Sequence, residues 1–396
     1  MSRPRVAIVH PRLGFGGSEA AALWAVQALK GDYSVSLITS GTVDLERLNE
    51  YYGTRLDPRE FPILLAPQPF GLASTQKFAA LRGAFLLQFC RKVESEFDLI
   101  INTYGGPGGW NTPTIQLIAD FAFMEDWRFK LHPELRNHRG WWYGDTLLRK
   151  AYLRLCRTIA PPIPDAWARM LVLANSHWTG RMLREHLSVE AGVLYPPVTV
   201  DTPEIPWEER ENGFVWIGRV VPEKRLGIAI EILRTVRKHG HDVHLHILGG
   251  VDNSPYAKRT KQLCCENSDW IFLEGYVAGD QKKLLIARHR FGIHSRANEP
   301  FGLAVAEMVK AGCIVFVPNG GGQVEIVNHP ALMYKDDDAA VRKIEAVLAD
   351  SEMQESLRSH LSQGARRFSV ENFTQGIRKA ASEFLREEES CRKVSD

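Results

Sequence analysis

Residues 6–38 decide the fold, and they read VAIVHPRLGFGGSEAAALWAVQALKGDYSVSLI. The stretch opens with four apolar residues, Val6 to Val9, a pattern typical of a strand buried on both faces of a parallel sheet. A glycine-rich turn from Gly14 to Gly17 follows, then an apolar helix through Leu29, then a second strand from Tyr33 to Ile38. Strand, turn, helix and strand in this order predict an α/β domain with a doubly wound parallel sheet.

The same pattern begins again in the second half of the chain. A strand ends at Gly218, a helix from Leu226 to His239 has one apolar face, and another strand runs from Val243 to Leu248. The segment from Tyr195 to Pro206 is rich in proline, which is typical of a linker. We therefore predict an N-terminal domain over residues 1–200, a linker over 201–212, a second domain over 213–369 and a C-terminal helix over 370–396. The helix is expected to pack back on the N-terminal domain.

Composition excludes several classes of protein. Hydrophobic residues make up 44% of the 396 residues and charged residues 24%, which is ordinary globular usage. Lys and Arg number 49 against 47 Asp and Glu, so charge gives no case for nucleic-acid binding. The sequence has no long apolar run, no secretory leader pattern and no C-x-x-C pair among its six cysteines. These features favour a cytoplasmic protein with reduced thiols.

Two cations flank the end of the first strand of the second domain. Arg219 follows Gly218 directly, and Lys224 comes after a turn at Pro222. Ligands of open α/β sheets bind at the carboxyl ends of strands, and both side chains suit phosphate oxygens. A solvated basic turn is the alternative, but the position favours an anion-binding site.

The segment from Asn298 to Glu307 reads NEPFGLAVAE and places two carboxylates near the same sheet edge. We predict Pro300 in the first turn of a helix, so that the free N–H groups of residues 301–303 can hold an anion. Glu299 and Glu307 would then share one helix face and accept hydrogen bonds from sugar hydroxyls. Favourable interaction with the helix dipole would explain Glu299 without a ligand, but Glu307 lies among apolar residues and needs a partner.

Two glycine-rich loops are weaker signals. The first, from Gly14 to Glu19, reads G-x-G-G-x-E and lacks the third glycine of the dinucleotide-binding fingerprint. Thr39 and Ser40, rather than an acidic residue, end the second strand, so a dinucleotide oxidoreductase is disfavoured. The second loop, from Asn319 to Glu325, has three consecutive glycines. Each loop could bring backbone close to a ligand, or could simply be a tight turn.

Together these segments resemble the retaining, nucleotide-sugar-dependent glycosyltransferases of GT-B architecture, in the glycosyl transferases group 1 family. The G-x-G-G-x-E loop, the G-R-x-x-x-E-K turn and the E-P-F-G-L-x-x-x-E segment occur in the family's order. The resemblance implies two Rossmann-like domains that face a central cleft, the first for the acceptor and the second for the nucleotide sugar. It implies no cofactor, because the donor is a co-substrate, and no metal.

The resemblance also implies roles for individual residues. Arg219 and Lys224 would hold the donor diphosphate, Glu299 would contact the donor sugar and Glu307 would bind the ribose. The family commonly has a histidine near the reacting sugar, but residues 115–123 read IQLIADFAF, so Asp120 is the expected substitute. The other donor-binding residues that the resemblance implies are Gly16, Gly17, Tyr276, Val277, Pro300, Phe301, Gly302 and Leu303.

A narrower likeness concerns the donor and the acceptor. Asn175–Thr179, Leu194–Pro197 and Ala297–Glu299 look like the α-1,2-mannosyltransferases that extend lipid-linked oligosaccharides with GDP-mannose. We expect hexose transfer from GDP-mannose, with a UDP-sugar as the alternative donor, to a saccharide or lipid-linked acceptor. Because the family histidine is missing, a catalytically silent nucleotide-sugar-binding protein is the alternative function.

Further segments have structural interpretations that require no ligand. Asp336–Asp338 contains a D-x-D that we interpret as a solvated turn, and His244 and His246 alternate on a strand without an evident third ligand. Leu81–Phe97 and Trp141–Leu155 combine apolar, aromatic and basic residues. They are predicted to be core-facing helices of the N-terminal domain, with peripheral contact to an anionic membrane as the alternative.

Overall fold

The computed structural model describes residues 3–72, 78–103, 105–106, 108–131 and 144–395. The chain divides into two compact units, one formed by Met1–Pro197 with Val370–Asp396 and the other by Val198–Ser369. Each unit is built around one sheet in which the described strands pair in parallel. The predicted fold class, two doubly wound parallel-sheet domains, is therefore confirmed.

The first unit has a seven-stranded sheet in the order β3-β2-β1-β4-β5-β6-β7. Its strands are β1 (Arg5–Val9), β2 (Ser34–Thr39), β3 (Ile63–Leu65), β4 (Leu99–Asn102), β5 (Thr114–Ile118), β6 (Met170–Ala174) and β7 (Gly192–Val193). Its helices, before the chain leaves the unit, are α1 (Gly17–Leu29), α2 (Leu45–Tyr52), α3 (Ala79–Val93), α4 (Glu125–Leu131), α5 (Leu147–Ile159) and α6 (His177–Leu187). Strand order reverses between β1 and β4, so the loops that follow these strands diverge there.

The second unit has a six-stranded sheet in the order β10-β9-β8-β11-β12-β13. Its strands are β8 (Glu211–Ile217), β9 (His244–Leu248), β10 (Ile271–Gly275), β11 (His289–Ile293), β12 (Ile314–Pro318) and β13 (Met333–Tyr334). Its helices are α7 (Leu226–Lys238), α8 (Pro255–Cys265), α9 (Gly279–Ala287), α10 (Leu303–Lys310), α11 (Gln323–Val327), α12 (Asp337–Ala349) and α13 (Ser351–Ala365). Here the strand order reverses between β8 and β11, and this switch point positions the site described below.

The last helix, α14 (Val370–Ser395), belongs to the first unit. Its apolar face packs on α1, where Phe373, Ile377 and Ala381 join a buried cluster that includes Leu23. Arg378 Nε donates to the carbonyl oxygen of Ala28 at 2.7 Å. The helix therefore completes the core of the first unit.

Three short strands could not be predicted from the pattern of apolar residues. β3, β7 and β13 have three, two and two residues, which is too few for an alternating pattern to show.

Residues 201–212, predicted as a linker, lie inside the second unit, where a 3-10 turn over Trp207–Glu209 leads into β8. Trp141–Tyr143 lie outside the described residues. Among the described helices, none is long and apolar enough to cross a membrane.

Candidate functional site

Two loops meet at the switch point of the second sheet. β8 leads into the loop that carries Lys224, and its neighbour β11 leads into the loop that carries Glu299. Lys224 Nζ lies 2.8 Å from Glu299 Oε2, and the two side chains are only 19% and 13% exposed. The structure thus places in direct contact two residues that the sequence analysis identifies separately.

Glu299 has two further partners from its own loop. Arg296 Nη1 lies 3.2 Å and His294 Nε2 3.5 Å from Glu299 Oε2. We call Lys224, His294, Arg296 and Glu299 the Glu299 cluster. It lies at the carboxyl end of the sheet, where open α/β domains bind their ligands.

The electrostatics of the Glu299 cluster favour an anion. Burial raises the pKa of Glu299, but the charges of Lys224 and Arg296, with His294, outweigh burial and hold that pKa well below its usual value. Burial lowers the pKa of His294 by more than the adjacent carboxylate raises it. At neutral pH the cluster therefore combines two cations, one carboxylate and a neutral imidazole, a net charge of +1.

The backbone around Lys224 is fixed by a short chain of hydrogen bonds. The indole N–H of Trp216, which is buried in β8, donates to Ser295 Oγ at 3.2 Å. The Ser295 hydroxyl donates in turn to the carbonyl oxygen of Lys224 at 2.9 Å. Because Ser295 follows β11, these bonds tie the two loops of the site to each other.

The second glycine-rich loop holds the backbone of Glu299. The N–H of Gly322 donates to the carbonyl oxygen of Glu299 at 2.7 Å. Gly321 has a φ of +79°, and a Cβ there would lie 2.4 Å from the Glu299 carbonyl oxygen and 2.6 Å from its nitrogen. Gln323, which is fully buried, donates from Nε2 to the Arg296 carbonyl oxygen at 2.9 Å. The close approach that these glycines permit is therefore to the protein's own backbone.

The predicted helix start was wrong. α10 begins at Leu303, after an N-cap at Gly302 whose φ of 103° no helix can contain. Pro300 and Phe301 therefore lie in the preceding loop, and Glu299 does not share a helix face with Glu307. The unpaired N–H groups of the first turn therefore belong to residues 303–305 and not to 301–303. Leu303 lies in that turn, and Pro300, Phe301 and Gly302 remain candidate donor-binding residues in the loop before it.

Glu307 has the partner that its apolar surroundings require. Lys282, from α9, approaches both of its carboxylate oxygens, at 2.9 and 2.8 Å. In the segment after β10, Tyr276 is 56% exposed and Val277 is half-buried. Sequence reasoning missed Lys282, because no motif or spacing distinguishes it from the other lysines of the chain.

Arg219 is separate from the Glu299 cluster. It is exposed, and within the described residues it forms no ion pair and no side-chain hydrogen bond. Its charge contributes to lowering the pKa of Asp252, after the hydrogen bonds that Asp252 accepts from Ser254. Binding of an anion to Arg219 would therefore not require another described side-chain contact to break.

In the first unit, contacts within the protein explain glycines of the G-x-G-G-x-E loop. The N–H of Gly16 donates to the hydroxyl oxygen of Tyr52 at 2.6 Å, and Gly17 begins α1. A Cβ at Gly16 would lie 2.6 Å from Glu19 Oε2. Burial raises the pKa of that carboxyl group. The Gly16 amide is thus engaged by Tyr52, at the end of α2.

Two polar residues lie at the carboxyl edge of the first sheet. Asp120, two residues after β5, accepts a hydrogen bond from the N–H of Ala122 at 2.9 Å. His10, directly after β1, is 2% exposed, and burial lowers its pKa to about 3. His10 directly follows a buried strand, a position that can be read from the sequence, whereas residues 115–123 contain no histidine.

Solved structures show which class of fold this is. Sucrose-phosphate synthase from Thermosynechococcus elongatus matches 97% of this chain and 100% of its own, with a TM-score of 0.72 at 16% identity. Alr3699/HepE from Anabaena, solved with UDP-glucose, matches 96% of this chain and 100% of its own, with a TM-score of 0.68 at 16% identity. The fold is that of the GT-B glycosyltransferases. The model of the glycosyl transferases group 1 family matches residues 199–367, which lie within the second unit, so the resemblance to this family is confirmed over that part of the chain.

Curated relatives extend the likeness into the first unit. The alpha-1,3/1,6-mannosyltransferase ALG2 of Homo sapiens is 24% identical over 386 residues, which cover 87% of this chain and 86% of that protein. A GDP-Man:Man(3)GlcNAc(2)-PP-Dol alpha-1,2-mannosyltransferase of Eremothecium gossypii is 24% identical over 79% of this chain and 59% of its own length. Its Dictyostelium discoideum counterpart is 26% identical over 52% of this chain and 45% of its own length. The chain thus spans about half the length of these two alpha-1,2-mannosyltransferases.

Proposed function

We propose that this chain transfers a hexose from a nucleotide-sugar donor to a hydroxyl group of a saccharide or lipid-linked acceptor. The observation that carries the proposal is the Glu299 cluster, which lies at the switch point of a sheet within the part of the chain that matches the group 1 family. GDP-mannose is the favoured donor because the relatives' names include GDP-mannose and mannosyltransferase. A UDP-sugar is the alternative donor.

The proposed donor contacts follow from the charges. Lys224 and Arg219 bind the diphosphate, and the first turn of α10, from Leu303, adds backbone N–H groups. Glu299 Oε2 accepts from Lys224, whereas the contact of Oε1 with Arg296 is long, at 3.4 Å. Oε1 is therefore the oxygen that accepts a hydrogen bond from a donor-sugar hydroxyl.

The other proposed donor residues lie further from the cluster. Glu307, held by Lys282, binds the ribose through oxygen lone pairs that the amine leaves open. The backbone at Tyr276 and Val277 frames the base. In the first unit, the backbone of Gly16 and Gly17 approaches the phosphate, which requires the Gly16 amide to exchange its bond to Tyr52 for one to the donor.

The proposed reaction retains configuration at the anomeric carbon and needs no metal. The bond between the donor's anomeric carbon and the diphosphate oxygen breaks, and the acceptor oxygen bonds to that carbon on the same face. The acceptor proton passes to the departing phosphate oxygen. Lys224 and Arg219 stabilise the negative charge that develops on the diphosphate, and Asp120 takes the place of the family histidine beside the sugar.

α5 supports a lipid-linked acceptor. Leu147, Leu148 and Leu155 are 83%, 63% and 54% exposed, and at about 100° per residue they share one face of the helix. Lys150, Arg154 and Arg157 are exposed on the adjacent face, while the opposite side of α5 packs on α3. We propose that this basic, leucine-bearing surface contacts an anionic membrane at its cytoplasmic face.

The membrane contact can be tested by sedimentation with vesicles of phosphatidylcholine and phosphatidylserine. A variant with Leu147, Leu148 and Leu155 each replaced by Ser should lose binding, because the apolar side chains that would insert into the bilayer are gone. Leu65→Ser with Leu284→Ser is the matched control, since these leucines are 55% and 44% exposed elsewhere. Equal binding by both variants would contradict the proposed surface.

Donor binding can be tested by thermal shift with GDP, UDP, ADP and NAD. A ligand at about 100 times its dissociation constant stabilises the folded state by about 2.7 kcal/mol. We expect GDP to raise Tm in the wild type but not in Lys224→Ala, while Lys335→Ala, whose side chain is 77% exposed, responds like the wild type. A shift with UDP alone would transfer the proposal to a UDP-sugar, and a shift with NAD alone would refute it.

The alternative is a protein that binds a nucleotide sugar without transferring it. The absence of a histidine from residues 115–123, which cover most of β5 and the segment after it, favours this alternative. Donor binding without product over a broad set of acceptors would establish it, and detection of a glycosylated product would exclude it.

A further inference from the structure

A cluster of histidines lies at the other edge of the second sheet, at the amino ends of its strands. β8, β9 and β11 are neighbours, and they begin at Glu211, His244 and His289. His246 lies two residues along β9, on the same face as His244. One ligand atom from each of these four residues lies within 4.8 Å of the other three. His244 and His246 therefore have potential further ligands in Glu211 and His289, which the sequence did not reveal.

The distances within this cluster fit a small cation. His244 Nε2 lies 3.2 Å from His289 Nε2 and 3.3 Å from Glu211 Oε2, and His289 Nε2 lies 3.6 Å from the same oxygen. In a tetrahedral zinc site with bonds of about 2.0–2.1 Å, the ligand atoms are about 3.3–3.4 Å apart. Three of the four ligands thus have almost the separation that a bound ion would require.

Neighbouring groups orient two of the imidazoles towards the centre of the cluster. His289 Nδ1 lies 2.6 Å from the carbonyl oxygen of Leu285, which can only accept, so Nδ1 carries the proton. His246 Nδ1 lies 2.7 Å from Glu274 Oε1, which fixes its tautomer in the same way. The Nε2 lone pairs of both rings are then left for a ligand. This is the arrangement of partners that usually surrounds metal-binding histidines.

The strand beneath the cluster leaves room for it. A Cβ at Gly213, in β8, would lie 2.2 Å from His244 Nε2, so only glycine allows the ring to occupy this position.

We propose that Glu211, His244, His246 and His289 bind one divalent transition-metal ion, with Zn²⁺ as the best match. Three imidazole nitrogens and one carboxylate oxygen complete a tetrahedron, so the site is structural and does not activate water. Glu211 Oε1 pairs with Arg288, which leaves Oε2 to the metal. The ion would link the starts of three strands and so stabilise the second unit.

Without metal, the same residues can satisfy one another by hydrogen bonds. An Nε2–H on His244 would donate to His289 Nε2, at their separation of 3.2 Å. An ion bound at His244 Nε2 requires that proton to lie on Nδ1 instead, so the two states differ in the tautomer of His244 and in stability. Metal binding is therefore the observable that separates them.

The test uses the full-length protein, stripped with a chelator and titrated with Zn²⁺ and with Co²⁺. We expect one equivalent of Zn²⁺ to be retained after gel filtration, a rise in Tm on loading, and the intense visible absorption of tetrahedral Co²⁺. His244→Gln and Glu211→Gln should each lower the affinity at least tenfold. Glu211→Gln changes an edge carboxylate that is one-third exposed, so it tests the site even if His244→Gln folds poorly.

His239→Gln is the matched control, because His239 pairs with Glu345 outside the cluster. It should retain metal like the wild type. Equal Zn²⁺ retention by all four proteins would overturn the proposal, as would octahedral Co²⁺ absorption or an unchanged Tm. None of these measurements depends on donor binding or transfer, so the metal site and the proposed function can fail independently.

Discussion

Removal of the Lys224 amine should destabilise the second unit, because Glu299 would remain as a buried carboxylate that has lost its shortest contact. Lys224→Met deletes the charge but keeps most of the apolar stem. One-sided removal of a buried ion pair costs about 3–5 kcal/mol when the remaining charge has no other partner. Arg296 stays 3.2 Å from Glu299, so we expect a smaller loss, about 2–3 kcal/mol in the free energy of unfolding at pH 7.5.

The pH dependence of this loss has a definite sign. In the wild type, the pKa of Glu299 is held well below its usual value, so the stability it contributes is present at neutral pH and is lost in acid. Lys224→Met raises that pKa because the strongest favourable charge is gone. The difference between variant and wild type should therefore be largest at neutral pH and shrink below about pH 4.5, the ordinary range of a Glu carboxyl.

A double-mutant cycle isolates the pair. Lys224→Met, Glu299→Gln and the double variant are unfolded in urea, and the transition of the second unit is fitted separately from that of the first. We expect a coupling energy of about 2 kcal/mol between the two residues. A coupling below about 0.5 kcal/mol, the size typical of exposed ion pairs, would refute the view that the Glu299 cluster is a preformed, buried network.

Three further predictions concern other residues. Gly321→Ala places a Cβ 2.4 Å from the Glu299 carbonyl oxygen at a φ of +79°, so it should cost about 2 kcal/mol or more of unfolding free energy and abolish donor binding. Gly320→Ala is the control, because its Cβ would make only an ordinary contact, at 3.4 Å from Asn298 Oδ1, and equal effects of the two substitutions would contradict the reasoning. His10 has a pKa of about 3 in the folded state and gains a proton on unfolding below pH 6.5, so the free energy of unfolding in urea should fall by about 2 kcal/mol between pH 7.5 and 5. If the free energy of unfolding of His10→Gln falls as steeply with decreasing pH, other groups cause the loss. Arg219→Gln should change the free energy of unfolding by less than about 0.5 kcal/mol and weaken the affinity for GDP about tenfold in calorimetric titration. An unchanged affinity would show that Arg219 is not part of the diphosphate site.

Much of the fold could be predicted from local patterns. The apolar runs at Val6–Val9 and in β8, each followed by a glycine and a helix, identify the two sheets, because buried parallel strands need no alternation. Lys224 and Glu299 could be identified because each follows a predicted strand at its carboxyl end. The start of α10 could not, because a proline favours the first turn of a helix while the left-handed conformation of Gly302 is not readable from sequence.

The partners of these residues lay beyond sequence reasoning for a different reason. Lys282 meets Glu307, and His289 meets His244, only because helices and strands that are distant in the chain pack side by side. The order β9-β8-β11 brings the ends of three strands together, and no spacing in the sequence encodes that order. Contacts of this kind become visible only when the sheet topology is known.

The most direct test of the proposed function is product formation. The wild type and Glu299→Gln are incubated with isotopically labelled GDP-mannose and mannose-terminated lipid-linked oligosaccharides, and the glycans are analysed by mass spectrometry and by NMR of the new anomeric centre. We expect one α-linked labelled mannose to be added by the wild type, with transfer reduced at least a hundredfold in Glu299→Gln. Full activity in Glu299→Gln, a β-linked product, or no product from a wild type that binds GDP would contradict the account.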